Sequence, residues 1–215
     1  AIQGAIAAKY RNSGQTCVCA NRIYVHEDVY EEFSKGFTKE AGKLKTGQGF
    51  DPSTDQGPLI DKAALAKVEE HVADAKNHGG QIALGGKPHQ LGGLFYEPTV
   101  IKDANDQMLV SYEETFGPVA PLFSFSSEEE VIERANNTPF GLASYFYTRD
   151  LAKSWRVSEQ LEYGIVGLNT GIISTEMAPF GGIKESGMGR EGSKYGIDDY
   201  LEIKYVSLAG IEEPL

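Results

Sequence analysis

Apolar side chains recur every three or four residues in several parts of the chain. These parts are residues 29–41, 65–75, 131–135 and 151–161, and residues 1–10 are mostly apolar. Such spacing places the apolar side chains on one face of a helix, so it predicts five helices with a buried face. Residues that can cap a helix N-terminus precede four of them, namely Asp28, Asp61, Ser127 and Asp150. Ser127 and Glu130 also have the spacing of a capping box.

Short segments rich in β-branched and aromatic residues lie between the predicted helices. They are Arg22–Val25, Gln81–Leu84, Val119–Phe125, Ser144–Thr148 and Gly164–Asn169. Strands that alternate with helices predict an α/β fold, with a mostly parallel sheet and helices on both faces. The last segment, Tyr200–Leu208, is mixed in polarity and predicts an edge strand that pairs outside this domain.

Composition and charge exclude some classes of function. Of the 215 residues, 40% are hydrophobic and 24% are charged, as in an ordinary folded domain, and no linker divides them. The net charge of −11 disfavours nucleic-acid binding, because few cations would displace the counterions of a phosphate backbone. No apolar run reaches the ~18 residues that cross a bilayer, so we expect no membrane partner.

The two cysteines and the first residues bear on compartment and on metal binding. Only Cys17 and Cys19 are present, which excludes a disulfide framework and a four-cysteine zinc site, and we predict no metal site. The chain begins without Met or a visible signal peptide, so we expect a piece of a longer protein. Free cysteines favour the cytoplasm, with the mitochondrial matrix after leader cleavage as the alternative.

Cys17 is the first candidate for chemistry. It follows an apolar helix and precedes an apolar strand, and loops at such junctions often face a cleft. A thiolate is a strong nucleophile, and Arg11 could supply positive potential nearby. The alternative is that Cys17 and Cys19 are both small buried apolar residues. If their segment is extended, the two thiols share a face, and a disulfide between them would need a local bend.

Other candidate motifs have competing interpretations. The four histidines are scattered along the chain, at His26, His71, His78 and His89. We expect His71 and His78 to share a solvated helix face, so a Cys–His hydrolase has little support.

Two further segments carry motifs. Residues 187–192 satisfy G-x-G-x-x-G but follow a loop, which predicts a tight turn rather than a dinucleotide fingerprint. In residues 113–118, a carboxylate beside Phe116 could accept hydrogen bonds from sugar hydroxyls; an exposed acidic loop is the alternative.

Four motifs occur in an order that resembles the aldehyde dehydrogenase superfamily. They are Gly14-Gln15-Thr16-Cys17, residues 114–118, Asn137-Thr138-Pro139-Phe140-Gly141-Leu142 and residues 179–187. The tail, residues 189–205, most resembles the succinate-semialdehyde dehydrogenases. The resemblance implies a catalytic domain over 1–199, an oligomerisation strand and tail over 200–215, and an absent N-terminal half. That half would carry most of the nucleotide site and the glutamate that activates water.

The resemblance also implies roles for individual residues. Cys17 is similar to the nucleophile, and Glu191 to a proton relay. Glu114 resembles the carboxylate that binds the nicotinamide ribose of NAD or NADP, with Phe116 beside that ring. Phe180 would line the aldehyde tunnel. Arg190 is expected to pair with Glu202.

Substrate and partners follow from the same resemblance. Arg11 and Ser174 stand where the succinate-semialdehyde enzymes bind a distal carboxylate, and arginine suits that group chemically. Glutarate semialdehyde is an alternative substrate. Cys17 and Cys19 would form a redox switch in some relatives. A homodimer or homotetramer is expected. The alternative to an enzyme is a non-catalytic piece that folds and associates but has no activity alone.

Overall fold

The structure, a computed structural model, describes residues 1–211. Its helices are Ile2–Tyr10 (α1), Tyr30–Ala41 (α2), Lys62–Asn77 (α3), Glu128–Asn136 (α4) and Leu151–Gln160 (α5). Its strands are Ile23–His26 (β1), Gln81–Leu84 (β2), Thr99–Lys102 (β3), Val119–Phe125 (β4), Phe140–Gly141 (β5), Ala143–Phe146 (β6), Ile165–Leu168 (β7) and Ile183–Lys184 (β8). Helices and strands alternate along most of the chain, as the sequence predicts.

The central sheet has four strands in the order β1-β4-β3-β2. Strand β4 pairs in parallel with β1 and β3, and only β2 runs antiparallel. Strands β6 and β7 form a separate parallel pair, and β5 pairs antiparallel with β8. The α/β class with a mostly parallel sheet is confirmed.

Both faces of the central sheet are covered by helices. Because successive side chains on a strand point to opposite faces, Leu122 and Phe123 of β4 enter different clusters. Leu122 packs with Phe37 of α2, whereas Phe123 packs with Val72 of α3, and all four are at most 2% exposed. Two apolar layers therefore hold the sheet, one beneath α1 and α2 and one beneath α3.

Three of the four predicted helix caps are confirmed. The side chains of Asp61, Ser127 and Asp150 each accept a hydrogen bond from a backbone N–H in the first turn of α3, α4 and α5. The prediction for Asp28 was wrong. A 3-10 turn over Glu27–Val29 comes first, α2 begins at Tyr30, and the Asp28 N–H donates to the His26 ring instead.

The five predicted strands are present within about two residues of their bounds, the usual scatter of strand ends. Strand β3 was missed, although Thr99-Val100-Ile101 is a β-branched run directly after a proline. Tyr200–Leu208 forms no strand within residues 1–211, and these residues are exposed. Its pairing with a neighbouring subunit stays a prediction, and residues 212–215 of the predicted tail lie outside the described part. Over the described range, no helix has the length and apolar character to cross a membrane.

Candidate active site

The loop that carries both thiols, residues 11–21, is called the thiol loop below. It begins with three left-handed residues, Asn12, Ser13 and Gly14, at φ 49°, 57° and 75°. This conformation ends α1 and reverses the chain. A Cβ at Gly14 would lie 2.0 Å from the carbonyl oxygen of Gly117, so only glycine allows this close approach. The first two motifs of the sequence analysis therefore meet backbone to backbone.

Distant parts of the chain fix the thiol loop. The Ser13 hydroxyl donates to the Gly57 carbonyl (3.1 Å), and the Gln15 side chain accepts from the Ile60 N–H (2.9 Å). From β6, the Tyr145 hydroxyl donates to the Val18 carbonyl at 2.8 Å. The loop is thus held from two sides, which pre-positions whatever chemistry its side chains perform.

The two thiols lie in different environments. Cys17 is exposed and Cys19 is buried, and both are free. The buried apolar interpretation therefore describes Cys19 alone. The Cys19 N–H donates to the Thr16 carbonyl (2.8 Å), so this segment is a turn rather than the extended chain considered above. Burial raises the pKa of the Cys19 thiol, against the opposing effects of Lys9 and Thr16.

The backbone at Cys17 is open to a ligand. Within residues 1–211, the Cys17 N–H donates no hydrogen bond. An exposed thiol beside a free N–H can attack a carbonyl carbon while the N–H stabilises the developing oxyanion.

Arg11 and Ser174, the two predicted carboxylate contacts, are in direct contact. Arg11 Nη1 donates to Ser174 Oγ at 2.9 Å, although the residues are 163 positions apart. Both side chains are exposed. Close packing supports this geometry: a Cβ on Gly171 would lie 1.9 Å from the Gly4 carbonyl oxygen, so the backbone at Gly171 lies directly against α1.

Residues 113–118 are called the acidic segment below. In this segment the side chains of Glu114 and Phe116 point outward, and Thr115 between them is buried. Thr115 is 3% exposed, while Glu114 and Phe116 on either side are exposed. The Thr115 N–H donates to Asn21 Oδ1 of the thiol loop at 2.9 Å. Glu114 and Phe116 line an open cavity of about 520 Å³ with Ala64 and Lys67. The exposed acidic loop is therefore what the structure shows, and the hydroxyl-binding role of its carboxylate stays a prediction.

Phe180 and Glu191 are paired through their backbones. The N–H of each donates to the carbonyl of the other, at 2.9 and 2.7 Å. Gly187, Gly189 and Gly192 all have positive φ and open no helix, so the tight-turn interpretation of this motif is confirmed. No described contact joins Phe180 or Glu191 to Cys17, and their roles stay predictions.

The expected pair between Arg190 and Glu202 is absent from the ion pairs of residues 1–211. Instead, Arg190 Nη1 donates to the carbonyls of Gly182 (2.8 Å) and Gly189 (2.7 Å). The guanidinium is therefore used within the glycine-rich loop, while Glu202 lies in an exposed segment.

His71 was placed wrongly by the sequence analysis. It was expected on a solvated face with His78, yet it is fully buried. Its neighbours Val68 and Val72 are the signal that could have found it, since they define the buried face of α3. The described histidine contacts are to other residues than Cys17, which further weakens the Cys–His hydrolase.

Lys9 is a second residue that the sequence analysis missed. It is fully buried on α1, and its Nζ has no hydrogen-bond partner among residues 1–211. Burial lowers the pKa of Lys9 to about 8, although the nearby Cys19 and Glu114 groups oppose this shift. A lysine within an otherwise apolar helix is the pattern that marks such a residue.

The buried lysine predicts a pH-dependent stability. The pKa of Lys9 falls from 10.5 in the unfolded chain to about 8 in the folded one. Between these values the unfolded chain binds more protons, so raising the pH stabilises the fold. Relative to Lys9→Met, we expect the wild type to gain ~2 kcal/mol in unfolding free energy from pH 8 to pH 10. Urea unfolding at each pH measures this gain. Exposed Lys35→Met should behave like the wild type, and parallel profiles for wild type and Lys9→Met would contradict the prediction.

The comparisons with known proteins show the family of the chain. Residues 1–206 match the model of the aldehyde dehydrogenase family. The chain is 61% identical to a glutarate-semialdehyde dehydrogenase of Pseudomonas aeruginosa over 211 residues, 98% of this chain and 44% of the relative. It is 59% identical to an NADP-dependent succinate-semialdehyde dehydrogenase of Escherichia coli, over 97% of this chain and 43% of the relative.

The solved structures give the same result. The crystal structure of a succinate-semialdehyde dehydrogenase from Burkholderia pseudomallei superimposes with a TM-score of 0.94 at 57% identity, covering 95% of this chain and 42% of the other. This chain therefore spans less than half the length of the relatives that it matches. The family model covers nearly the whole chain, and the chain belongs to the aldehyde dehydrogenase family.

Proposed function

We propose that the protein carrying this chain oxidises a short aldehyde with a distal carboxylate, succinate semialdehyde to succinate, using NAD or NADP. The contact between Arg11 and Ser174 is the observation that carries this proposal. A guanidinium and a hydroxyl that are exposed and in contact can bind both oxygens of a carboxylate, and Arg11 belongs to the thiol loop that carries Cys17. The names of the relatives support an aldehyde with an acidic group but include two different semialdehydes.

Cys17 is the nucleophile in this proposal. Its thiolate attacks the aldehyde carbon, forming a C–S bond and an oxyanion that the Cys17 N–H stabilises. The nicotinamide cofactor, when bound, would supply the acceptor for the hydride of that carbon. The carbon remains as a thioester, and water cleaves the C–S bond to release the acid and the thiol. The glutamate that activates this water would lie in the N-terminal half.

The acidic segment fits the nicotinamide end of such a cofactor. Glu114 is exposed and can accept hydrogen bonds from ribose hydroxyls, while Phe116 offers an apolar surface beside it. Glu191 is proposed as a proton relay and Phe180 as a wall of the aldehyde tunnel. Cys17 and Cys19 are proposed to form a reversible disulfide.

Substrate preference tests the proposal directly. In the intact protein, NAD(P)H production would be followed with succinate semialdehyde, glutarate semialdehyde and butanal. A charge-assisted hydrogen bond contributes ~1.5–3 kcal/mol, so we expect kcat/KM to be about 10- to 100-fold lower for butanal. The extra methylene of glutarate semialdehyde should lower it by at least about tenfold. Equal values for all three aldehydes would remove the carboxylate site.

Two statements about assembly belong to the same proposal. We expect the 215-residue chain alone to lack turnover, because it spans 44% of its relative's length and would lack the base. We also expect a homodimer or homotetramer in which Tyr200–Leu208 adds to a neighbouring sheet. Ile203 and Tyr205 are 100% and 87% exposed, as a segment awaiting a partner would be. The cytoplasm, with the mitochondrial matrix as alternative, stays a prediction.

A further inference from the structure

We propose that His71 is a positioning residue that fixes the acidic segment for cofactor binding. The proposal rests on the proposed function, because it concerns the side chains that would meet the nicotinamide ribose. His71 itself touches neither substrate nor cofactor in this scheme. It acts through Thr115, the buried residue between Glu114 and Phe116.

Thr115 has two polar anchors, the buried His71 and the half-buried Asn21. Its N–H donates to Asn21 Oδ1 at 2.9 Å, and its Oγ1 lies 2.7 Å from His71 Nδ1. Thr115 and His71 are 3% and 0% exposed, so water does not compete for the contact between them. Since Thr115 points inward, Glu114 and Phe116 must point outward. Rotation of Thr115 would move both of them.

The surroundings of His71 select one protonation state. Its Nε2 lies 3.4 Å from Glu113 Oε2 without forming a hydrogen bond, and the nearby negative charge favours a proton on Nε2 over one on Nδ1. With the proton on Nε2, Nδ1 is free to accept the Thr115 O–H. Glu113 is in turn paired with Lys67, one helical turn before His71. One network therefore connects α3 to both ends of the Glu113–Thr115 peptide.

The charges around this network favour the neutral imidazole. Burial lowers the pKa of His71, and the Lys67 ammonium lowers it further, against the opposing carboxylates of Glu113 and Glu70. The same contacts with Lys67 and His71 lower the pKa of Glu113. A neutral ring that accepts from Thr115 beside an ionised Glu113 is thus a stable arrangement, and it holds the segment in one conformation.

The functional consequence is specific to the cofactor. Loss of the bond to His71 would release one of the two anchors, and Glu114 and Phe116 would have to be ordered when the cofactor binds. That ordering would weaken cofactor affinity. The aldehyde site should be much less affected, because the Thr115 N–H would keep its bond to Asn21 of the thiol loop and the Arg11–Ser174 contact lies elsewhere.

Four variants of the intact protein separate this role from a purely structural one. His71→Asn keeps a polar atom at the Nδ1 position. His71→Gln places the polar atom near the Nε2 position instead, so the hydrogen bond to Thr115 is lost. Thr115→Ser keeps the hydroxyl, and Thr115→Val replaces it with a methyl group of the same shape. Isothermal titration with NAD and with NADP gives the dissociation constants, and KM for the aldehyde is measured beside them.

We expect His71→Gln and Thr115→Val to weaken cofactor binding about 10-fold, the effect of one lost buried hydrogen bond. His71→Asn and Thr115→Ser should stay within about threefold of the wild type, and the double variant His71→Gln/Thr115→Val should be no worse than either single one. The aldehyde KM should change much less. Should His71→Gln fail to fold, the threonine pair alone decides.

Two results would overturn the proposal, and they are distinguishable. Unchanged dissociation constants in folded variants, whatever their unfolding free energy, would show that His71 only stabilises the fold, while the proposed function stands. A wild-type protein that binds neither NAD nor NADP would overturn both the proposed function and this inference.

Discussion

Replacement of Cys17 by serine is expected to lower kcat for aldehyde oxidation by at least about 10³-fold in the intact protein, which corresponds to ~4 kcal/mol of lost transition-state stabilisation. The hydroxyl is of similar size, so the site should keep its shape. It is far less nucleophilic than a thiolate, and no histidine of the described chain is placed to remove its proton. The measurement is NAD(P)H production under single-turnover conditions with succinate semialdehyde.

The second thiol provides a matched control. Cys19 is buried and Cys17 is exposed, so Cys19→Ala should change kcat by only a few-fold. An alkylating reagent should label Cys17 well before Cys19 in the wild type, since access as well as thiolate content governs the rate. Serine at position 17 with undiminished acid formation, or faster labelling at Cys19, would remove Cys17 from the mechanism.

The sequence predicted most of the fold because each element carries its own signal. The stripe over Val68, Val72 and Ala75 is local, as are the caps at Asp61 and Asp150, and all are present in the structure. Tyr200–Leu208 differs because a strand needs a partner edge. The pattern showed only that the segment could pair, and the neighbouring subunit that would supply the edge is a property of the assembly.

The residues of the site were predicted from motifs, but the contacts between them could not be predicted from the sequence. Nothing in the local pattern at Arg11 or Ser174 shows that residues 163 positions apart share a hydrogen bond. That contact depends on Gly171 packing against Gly4, which is decided by tertiary structure. His71 and Lys9 were missed for another reason. Their polar side chains favour an exposed position, although both residues lie on the buried faces of their helices. The cost of burying them is lowered by the contact of His71 with Thr115 and by the lowered pKa of Lys9.

Arg11→Ala is the variant that decides the substrate. We expect kcat/KM for succinate semialdehyde to fall about 10- to 100-fold, because a carboxylate in the site would lose a charged, two-pronged partner. For butanal the loss should be no more than a few-fold, since that aldehyde has no group for the guanidinium to bind. Arg11→Lys should recover only part of the loss, because an ammonium keeps the charge without the planar fork.

Ser174→Ala extends the same measurement to the second contact. The hydroxyl is uncharged, so we expect a loss of about 2- to 10-fold for succinate semialdehyde and none for butanal. In the double variant the two losses should not add, because Arg11 Nη1 and Ser174 Oγ are in contact at 2.9 Å and would bind one carboxylate together. Equal losses for both aldehydes in Arg11→Ala would instead mean that the arginine supports the thiol loop, and the distal carboxylate would have to be bound elsewhere.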